Sequence, residues 1–277
     1  MFEASLLAGK RILITGGGTG LGKSMGRRMA ELGAALAICG RRAEVLDAAA
    51  AEISEATGAT VEAIPCDIRD AEAVDAMIDK AWPVDVLVNN AAANFIAQTH
   101  KLSARALDTL FSINLNGPMS CTVAAGRRWI AEGRDGVVLS ILSTGAMTGR
   151  AFTVPAVMGK AAMLAMTRSL AVEWGPHGIR TVAIAPGPFP TPGAWSRLRP
   201  KAREAAGGQE RAIPLGRVGA HEELANLACY LVSDHAGYVT GECVTIDGGG
   251  MLRTSGAEDL LAWSDADWEA IRPKKKG

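Results

Sequence analysis

Seven short apolar segments recur along the chain, and they are separated mainly by longer segments with helical periodicity. Almost every residue in the short segments is apolar, as in strands that are covered on both faces of a parallel sheet. The helical segments, such as AEVLDAAAAEI and AEAVDAMIDKAW, space their apolar residues by three and four positions. The predicted strands are RILIT (11–15), ALAIC (35–39), TVEAI (60–64), VDVLVN (84–89), GVVLSI (136–141), IRTVAIA (179–185) and ECVTID (242–247).

This repetition of strand, helix and strand predicts an α/β fold. Its doubly wound, parallel, seven-stranded sheet is flanked by helices, which is the Rossmann fold. No Pro/Gly/Ser-rich linker interrupts the pattern, so we expect a single domain over residues 1–277. Residues 251–277 are a C-terminal extension of that domain, and its basic end, IRPKKKG, is expected to be solvated.

Charge and cysteine usage narrow the possible partners. The 29 basic and 29 acidic residues balance, so no overall field indicates binding to nucleic acid or to an anionic membrane. The N-terminus lacks the pattern of a secretory signal, and no apolar stretch approaches the roughly 18 residues of a membrane span. We expect a cytoplasmic protein with free thiols and no metal site, because the cysteines are scattered without a CxxC pair: Cys39, Cys66, Cys121, Cys229 and Cys243.

A glycine-rich loop, TGGGTGLG (15–22), directly follows the first predicted strand and precedes a helix. Glycines at such a turn let the backbone approach a pyrophosphate, which then lies at the N-terminus of the helix. An ordinary strand–helix turn is the alternative for a glycine loop taken alone. The surrounding strand and helix favour a dinucleotide site with Gly16, Gly18, Thr19, Gly20, Leu21 and Gly22 as cofactor-binding residues.

The end of the second strand, ICGRR, bears on the choice of dinucleotide. An NAD enzyme is expected to carry an acidic residue near this point for the ribose hydroxyls, whereas arginine suits a 2′-phosphate. Arg41 and Arg42 therefore favour NADP(H). The alternative is two solvated arginines at the start of a helix.

With these motifs, the chain resembles the short-chain dehydrogenase/reductase family over roughly residues 8–250. Further matching segments are Cys66-Asp67, NNAAA (89–93), INLNG (113–117), the Ser143 and Lys160 pair, and PGPFPT (186–191). The resemblance implies a homotetramer and a set of further cofactor contacts. These are Asp67 and Ile68 near the adenine, Asn89, Asn90 and Ala91 along the groove, Lys160 at the nicotinamide ribose, and Pro186, Gly187 and Thr191 at the nicotinamide.

The catalytic tetrad of that family is incomplete in this chain. Asn114, Ser143 and Lys160 match three of its members, but Ala156 occupies the position of the tyrosine four residues before the lysine. The two tyrosines of the chain, Tyr230 and Tyr238, lie in a late predicted helix and before the last strand. Because a phenol passes the proton to a carbonyl oxygen in such enzymes, ketone chemistry lacks its usual acid here.

In detail the chain resembles the 2,4-dienoyl-CoA reductase branch of the family, which protonates carbon and lacks that tyrosine. The matching segments include CDIRD, NNAAANFI, VEWG, APGPFPTPGAWSRL and EELANLA. Arginines suit the phosphates of CoA because they form forked hydrogen bonds with them. The resemblance implies an acyl-CoA thioester as substrate and these contacts with it: Arg41, Arg69, Phe95, Ser103 and Arg197.

Two residues are candidates for stabilising the thioester oxygen. The resemblance aligns Asn94 with an asparagine whose amide donates to that oxygen as it gains enolate character; a loop-capping role is the alternative. Ser143, at the end of the fifth strand, is a candidate for the second hydrogen bond. The proton for carbon would come from water ordered by Lys160 and Asn114. A lysine with a solvated head at the start of a helix is the alternative for Lys160.

The sequence thus favours an NADPH-dependent reductase of a 2,4-dienoyl-CoA or 2-enoyl-CoA in fatty-acid metabolism. One alternative is a carbonyl reductase that acts on a 3-oxoacyl thioester, against which stands the missing tyrosine. Another is an inert nucleotide-binding protein that keeps the cofactor groove without turnover. The retained arginines count against inertness, and fold resemblance alone does not fix the function.

Overall fold

The computed structural model describes residues 2–191, 193, 213–253, 260 and 262–271. Seven parallel strands form one sheet in the order β3-β2-β1-β4-β5-β6-β7. The predicted fold class and all seven predicted strands are confirmed, with small shifts at the strand ends. The strands are β1 Arg11–Thr15, β2 Ala35–Gly40, β3 Val61–Pro65, β4 Val86–Asn89, β5 Gly136–Ile141, β6 Ile179–Pro186 and β7 Cys243–Ile246.

Helices connect the strands and cover both faces of the sheet. Between α4 and α5 the backbone forms a π-helical turn, Ser112–Asn116, so these three segments are continuous. No helix within the described ranges is both long and apolar enough to cross a membrane. The helices are α1 Gly20–Glu31, α2 Ala43–Thr57, α3 Ala71–Ala81, α4 Ala104–Phe111, α5 Gly117–Glu132, α6 Gly145–Thr148, α7 Val154–Glu173, α8 His221–Val232 and α9 Asp265–Ala270.

Local signals in the sequence set several helix boundaries. Asp70 begins α3 by accepting hydrogen bonds from the N–H groups of Glu72 and Ala73, which have no partner within the helix. Gly58 and Gly133 end α2 and α5 in the left-handed conformation that glycine adopts without steric cost. Capping and termination therefore follow from residue types that the sequence displays.

The sheet separates two apolar cores because successive side chains of each strand point to opposite faces. Ile12 and Ile14 of β1 pack in the core that α1, α2 and α8 cover. Leu13 points the other way, into the core beneath α3, α5 and α7. Burial on both faces explains why the strand segments are apolar without alternation.

The chain winds outward from the centre of the sheet in both directions. Ile12 of β1 pairs with Val86 of β4, while β2 and β5 lie on the outer sides of these two strands. In open α/β sheets, ligands bind where the strand order reverses, at the carboxyl ends of the strands. The loops after β1 and β4 therefore border the expected crevice.

The C-terminal extension continues beyond β7 with a 3-10 turn, Gly250–Leu252, and the short helix α9. The rings of Trp263 and Trp268 lie against each other with 5.0 Å between their centroids. The basic end that the sequence analysis expects to be solvated, residues 272–277, lies outside the described residues.

Candidate active site

The glycine loop after β1 is a tight turn whose shape depends on missing side chains. Gly16 has φ 68°, and a Cβ on it would lie 3.0 Å from Asn90 Nδ2. A Cβ on Gly22 would lie only 2.4 Å from the carbonyl oxygen of Gly16 and 2.5 Å from Asn90 Nδ2. The loop backbone can therefore approach a pyrophosphate, and the first turn of α1, with Thr19 before it, presents free N–H groups there.

Hydrogen bonds join the glycine loop to the end of β4. Thr15 Oγ1 accepts from the N–H groups of Asn90, at 3.0 Å, and Ala91, at 3.1 Å. Asn90 Nδ2 donates back to the carbonyl oxygens of Thr15, at 2.9 Å, and Gly16, at 3.2 Å. The carboxyl ends of β1 and β4 are thereby joined, and Thr15 takes a part that the sequence analysis did not assign. The sequence feature that could have indicated this role is a hydroxyl residue at the end of an otherwise apolar strand.

Asn89 lies in the core rather than along the groove. Its side chain is buried, and Nδ2 donates to Thr122 Oγ1 at 2.8 Å. Successive residues of a strand point to opposite faces, so Asn89 faces α5. The partly exposed residues that follow the strand, Asn90 and Ala91, border the groove.

At the expected adenine end, Asp67 is paired with an arginine. Arg69 Nε lies 2.9 Å from each oxygen of the Asp67 carboxylate. These bonds lower the pKa of Asp67, and the Arg69 N–H and the charge of Arg41 make smaller contributions in the same direction. Ile68 is buried between them, and a Cβ on Gly117 would lie 2.7 Å from its side chain.

The two arginines after β2 are both exposed. Arg42 precedes α2 as its N-cap residue, and neither guanidinium has a hydrogen-bond partner among the described residues. Arg41 contributes to the low pKa of Asp67, so its charge acts at the mouth of the crevice. Their contacts with a 2′-phosphate, and those of Arg41 and Arg69 with CoA, stay predictions.

The segment after β6 is held closely against β7 and α1. Gly187 N donates to the carbonyl oxygen of Ile246 at 2.9 Å, directly after Pro186. A Cβ on Gly187 would lie 2.6 Å from Asp247 Cβ, so a larger residue does not fit. At the other end of the segment, Thr191 lies over the start of α1, since a Cβ on Gly20 would lie 3.2 Å from Thr191 Cγ2. The segment thus spans the crevice between the last strand and the glycine loop.

Lys160 is a buried residue, 7% exposed, in the second turn of α7. Its Nζ donates to the carbonyl oxygen of Ile141 at 2.6 Å, at the end of β5. Burial lowers the pKa of this lysine from 10.5 to about 8. The alternative of a solvated head does not hold in this structure, and the amine faces the edge of the sheet where ligands bind.

Asn114 connects the lysine helix with the segment after β4. It is fully buried in the π-helical turn, where Nδ2 donates to the carbonyl oxygen of Ala93, at 2.8 Å, and Oδ1 accepts from Ala93 N, at 3.0 Å. A Cβ on Gly159 would lie 2.7 Å from Asn114 Cβ. The peptide that precedes Asn94 is thereby held against the helix that carries Lys160.

Asn94 and Ser143 have polar atoms without a protein partner. The Oδ1 of Asn94 is buried and accepts no hydrogen bond within the described residues, and its amide nitrogen donates none to them. The hydroxyl of Ser143 likewise has no partner there, and a Cβ on Gly145 would lie 3.5 Å from it. Because an unsatisfied buried polar group costs about 1–3 kcal/mol, the buried Oδ1 of Asn94 indicates a partner that the protein does not supply. Ser143 is only partly buried, so its hydroxyl is accessible to a ligand or to water.

The position of the absent tyrosine is filled by a small residue. Ala156 is buried in the first turn of α7. Tyr230 lies in α8, across the sheet from the lysine helix, and Tyr238 lies fully exposed before β7. Within the described part of the chain, no phenol therefore reaches Lys160.

The predicted substrate contacts have different surroundings. Phe95 is partly exposed beside Asn94. Ser103 is the N-cap of α4, since its Oγ accepts from Ala106 N at 3.2 Å. Arg197 lies outside the described residues. Contacts of all three with an acyl-CoA stay predictions.

One residue near the site has an unusual backbone that the sequence analysis missed. Phe152 has φ 64° without being a glycine, and its side chain is 55% exposed. Its carbonyl oxygen accepts from Ala97 N at 2.9 Å, which ties the loop before α7 to the loop that carries Asn94 and Phe95. Strain of this kind concentrates at ligand sites. No sequence pattern signals it, because the conformation is imposed by contacts between two distant loops.

Comparison with known proteins identifies the family. Residues 16–250 match the family profile described as Enoyl-(Acyl carrier protein) reductase. A crystal structure of a short chain dehydrogenase from Bacillus anthracis is similar, with a TM-score of 0.79 and 38% identity, over 88% of this chain and 98% of that one. The chain belongs to the short-chain dehydrogenase/reductase family. Enzymes of this family are oxidoreductases that use a nicotinamide dinucleotide, and the glycine loop provides the cradle that this cofactor needs.

Two curated relatives within the short-chain dehydrogenase/reductase family carry more specific names. "Probable 2,4-dienoyl-CoA reductase 3 [(3E)-enoyl-CoA-producing]" of Caenorhabditis elegans is 40% identical, over 98% of this chain and 91% of its own. "Probable 2,4-dienoyl-CoA reductase [(2E)-enoyl-CoA-producing]" of Bacillus subtilis is 41% identical, over 88% of this chain and 97% of its own. The resemblance to the dienoyl-CoA reductase branch noted from the motifs is confirmed by these matches.

Proposed function

We propose that this protein is an NADPH-dependent reductase of unsaturated acyl-CoA thioesters in fatty-acid metabolism, acting on a 2,4-dienoyl-CoA or a 2-enoyl-CoA. The observation that carries the proposal is the environment of Lys160. This amine is buried at the crevice with Ala156, and no phenol, one turn before it. A reaction that protonates a ketone oxygen needs an acid at that point, whereas one that protonates carbon from solvent does not.

NADPH bound along the glycine loop would supply a hydride to the far end of the conjugated acyl chain. The electron pair then moves to the thioester oxygen, where Asn94 Nδ2 and Ser143 Oγ donate hydrogen bonds to the enolate. Both groups are free to do so, since neither has a partner among the described residues. Lys160 would hold the nicotinamide ribose and lower the cost of the developing negative charge. A water molecule held by Lys160 would give the proton to carbon and complete the reduction, while Asn114, whose side-chain amide is bonded to Ala93 at both ends, would hold the loop beside it.

The preference for NADPH rests on Arg41 and Arg42. Both are exposed immediately after β2, where an acidic residue would serve the ribose of NADH. Replacing Arg41 by Ala is expected to raise the KM for NADPH while leaving the KM for NADH unchanged, because only NADPH carries the 2′-phosphate. Equal effects on both cofactors would contradict this assignment.

The CoA ester is proposed to lie against Arg41, Arg69, Phe95 and Ser103, with Arg197 completing the set. Arg69 is already partnered by Asp67, so its guanidinium is held by a carboxylate while its remaining donors can serve a phosphate. The exposed ring of Phe152 adds apolar surface near Phe95 for the acyl chain. The names of the relatives from C. elegans and B. subtilis support this substrate class.

The deciding experiment follows NADPH absorbance with purified protein and three substrates in parallel. These are trans-2,trans-4-decadienoyl-CoA, 2-decenoyl-CoA and acetoacetyl-CoA. Oxidation with either unsaturated ester, and chromatographic detection of a 3-enoyl or 2-enoyl product from the diene, would support the proposal. Oxidation with acetoacetyl-CoA alone would assign a carbonyl reductase instead. NADPH binding without turnover of any of them would favour the inert protein.

Substitutions at the two proposed oxygen-binding residues test the mechanism. Asn94→Asp keeps the shape of the side chain but removes the amide donor, and Ser143→Ala removes only the hydroxyl. Each is expected to lower kcat about 10²- to 10³-fold, the effect of removing one such donor, with NADPH binding retained. The control is Ser54→Ala, on the helix α2 at the other face of the sheet. Full turnover by Ser143→Ala would show that the second donor is a different group.

Self-association into a homotetramer is part of the proposal. Helices α5 and α7 leave large apolar side chains uncovered, including Met119, Met158 and Val172. Apolar residues exposed on neighbouring helices are typical of interfaces between copies of one chain. The cytoplasm is the proposed compartment, because all five cysteines are free thiols.

A further inference from the structure

The ring of His221 lies between two segments of the cofactor crevice. It stands at the start of α8, with Nδ1 at 2.8 Å from Ser24 Oγ and Nε2 at 2.7 Å from the carbonyl oxygen of Pro190. Ser24 Oγ in turn lies 3.1 Å from the carbonyl oxygen of Gly20, in the first turn of α1. A continuous series of polar contacts thus joins the start of α1, the start of α8 and the segment after β6.

Both ends of this series are part of the cofactor site. Gly20 begins the helix whose N-terminus faces the pyrophosphate, and Pro190 directly precedes Thr191 at the nicotinamide end. The two ends also touch, because a Cβ on Gly20 would lie 3.2 Å from Thr191 Cγ2. His221 is the side chain that holds the carbonyl of Pro190, directly before Thr191, so it contributes to the position of Thr191 over the glycine loop.

The hydrogen bond from His221 to Pro190 forms whether the imidazole ring is neutral or charged. A carbonyl oxygen only accepts, so Nε2 of His221 carries a proton and donates it to Pro190. When the ring is neutral, the Ser24 hydroxyl donates to Nδ1. When the ring is charged, Nδ1 donates to Ser24 Oγ, and Ser24 donates to Gly20. In either state the contact with Pro190 is the same.

We propose that His221 is a positioning residue for the nicotinamide half of the cofactor. By fixing the carbonyl of Pro190, it keeps Thr191 at the start of α1 and closes the crevice over the nicotinamide ribose. The adenine half, at Arg41 and Asp67, lies on other elements and does not depend on this bond. The inference rests on the dinucleotide site of the family and not on the acyl-CoA substrate.

Two substitutions at His221 distinguish the hydrogen bond of Nε2 from that of Nδ1. In His221→Gln the amide nitrogen can reach the position of Nε2 and keep the bond to Pro190. In His221→Asn the shorter side chain reaches only the position of Nδ1 and loses that bond. The control is His177→Asn, on an exposed 3-10 turn, where the structure gives the side chain no hydrogen bond.

The test measures the Kd of NADPH by fluorescence titration, with adenosine 2′,5′-bisphosphate as a probe of the adenine half alone. His221→Asn is expected to raise the Kd of NADPH about three- to tenfold, the loss of one hydrogen bond, whereas His221→Gln stays within about twofold of the parent. The Kd of the bisphosphate is expected to stay unchanged in both. NADH, with AMP as its probe, is titrated in parallel, so that a wrong cofactor assignment affects the proposed function and leaves this test intact.

Two outcomes would overturn the inference. One is an unchanged Kd for the intact dinucleotide in His221→Asn. The other is an equal loss of affinity for the dinucleotide and for the adenine probe, which would mean that His221 supports only the general stability of the fold. If His221→Asn does not fold, His221→Glu serves in its place. Its carboxylate has the length of the glutamine side chain but cannot donate to the carbonyl oxygen of Pro190, so it is expected to raise the Kd of the dinucleotide and not that of the adenine probe.

Discussion

At the scale of single residues, Gly22 is the position where the glycine loop has least room. A Cβ there would meet the carbonyl oxygen of Gly16 at 2.4 Å and the amide of Asn90 at 2.5 Å. Gly22→Ala should therefore displace the loop from the end of β4 and weaken dinucleotide binding at least tenfold, about 1.4 kcal/mol. Isothermal titration with NADPH measures this.

The matched control is Gly175→Ala, where a Cβ would have no atom within 4 Å and the backbone is not left-handed. This control is expected to bind NADPH as the parent does. An unaltered NADPH affinity in Gly22→Ala would mean that the loop has more freedom than its contacts indicate.

Lys160 gives the fold a pH dependence of known sign. Its pKa is about 8 in the folded protein, because burial disfavours the charge, against 10.5 for an ordinary lysine. Below pH 8 both states are charged and the cost of burial is complete. Between pH 8 and 10.5 only the unfolded chain keeps the proton, so the contribution of Lys160 to stability rises with pH across this window.

Lys160→Met removes that dependence while keeping a long side chain. We expect the free energy of unfolding of the parent to rise by about 2 kcal/mol relative to Lys160→Met between pH 7 and 9.5. Urea unfolding of both proteins at the two pH values gives the difference, in which other titrating groups cancel. Parallel pH profiles would show that the amine is not buried in solution.

The roles of single residues could be predicted from the sequence only in part. The register of the family motif assigned Lys160 to the nicotinamide ribose. The structure buries its amine at the end of β5, and the contact with the ribose stays a prediction. The orientation of Asn89 was missed because adjacent asparagines look alike in sequence, and only the alternation of the strand decides which one faces the core. The strained Phe152 could not be foreseen, since it depends on a contact with Ala97 in another loop.

At the scale of secondary structure, substitutions of Ser103, the N-cap of α4, test its role in stability and its proposed contact with CoA. Ser103 accepts a hydrogen bond from Ala106 N, so Ser103→Ala should lower the free energy of unfolding by about 1 kcal/mol. Ser103→Asp preserves the cap. If Ser103 also contacts CoA, the added carboxylate should raise the KM for the acyl-CoA by repelling its phosphates.

Urea unfolding and steady-state kinetics on the two variants separate the two roles. Restored stability with an unchanged KM in Ser103→Asp would leave Ser103 as a helix cap alone.

The elements themselves were largely predictable, for a physical reason. Strands buried on both faces are apolar throughout, so GVVLSI matched β5 residue for residue, and helices begin and end at recognisable caps. The π-helical turn at Ser112–Asn116 was not predictable in this way. Asn114, within this turn, is bonded to Ala93 in a distant loop, and no local residue pattern indicates that contact.

At the scale of the whole molecule, the exposed apolar residues of α5 and α7 predict how copies associate. Met158, 53% exposed on α7, is expected to be covered in the tetramer. Met158→Glu would bury a charge there, so it should shift the protein to smaller species in sedimentation velocity runs. Ala48→Glu, at an exposed position of α2, is the control and should sediment as the parent does. A tetramer that tolerates the glutamate in α7 would place the interface elsewhere.

The bonds between Thr15 and Asn90 join residues that are 75 positions apart in the chain. At about 5–20 residues per second, a ribosome needs roughly 4–15 s to make the second partner after the first. For that time the glycine loop emerges into the cell without the strand that gives it its shape. Until β4 is made, β1, β2 and β3 can pair with one another but Asn90 is absent, so the shaped dinucleotide site is expected to form only after that point in synthesis.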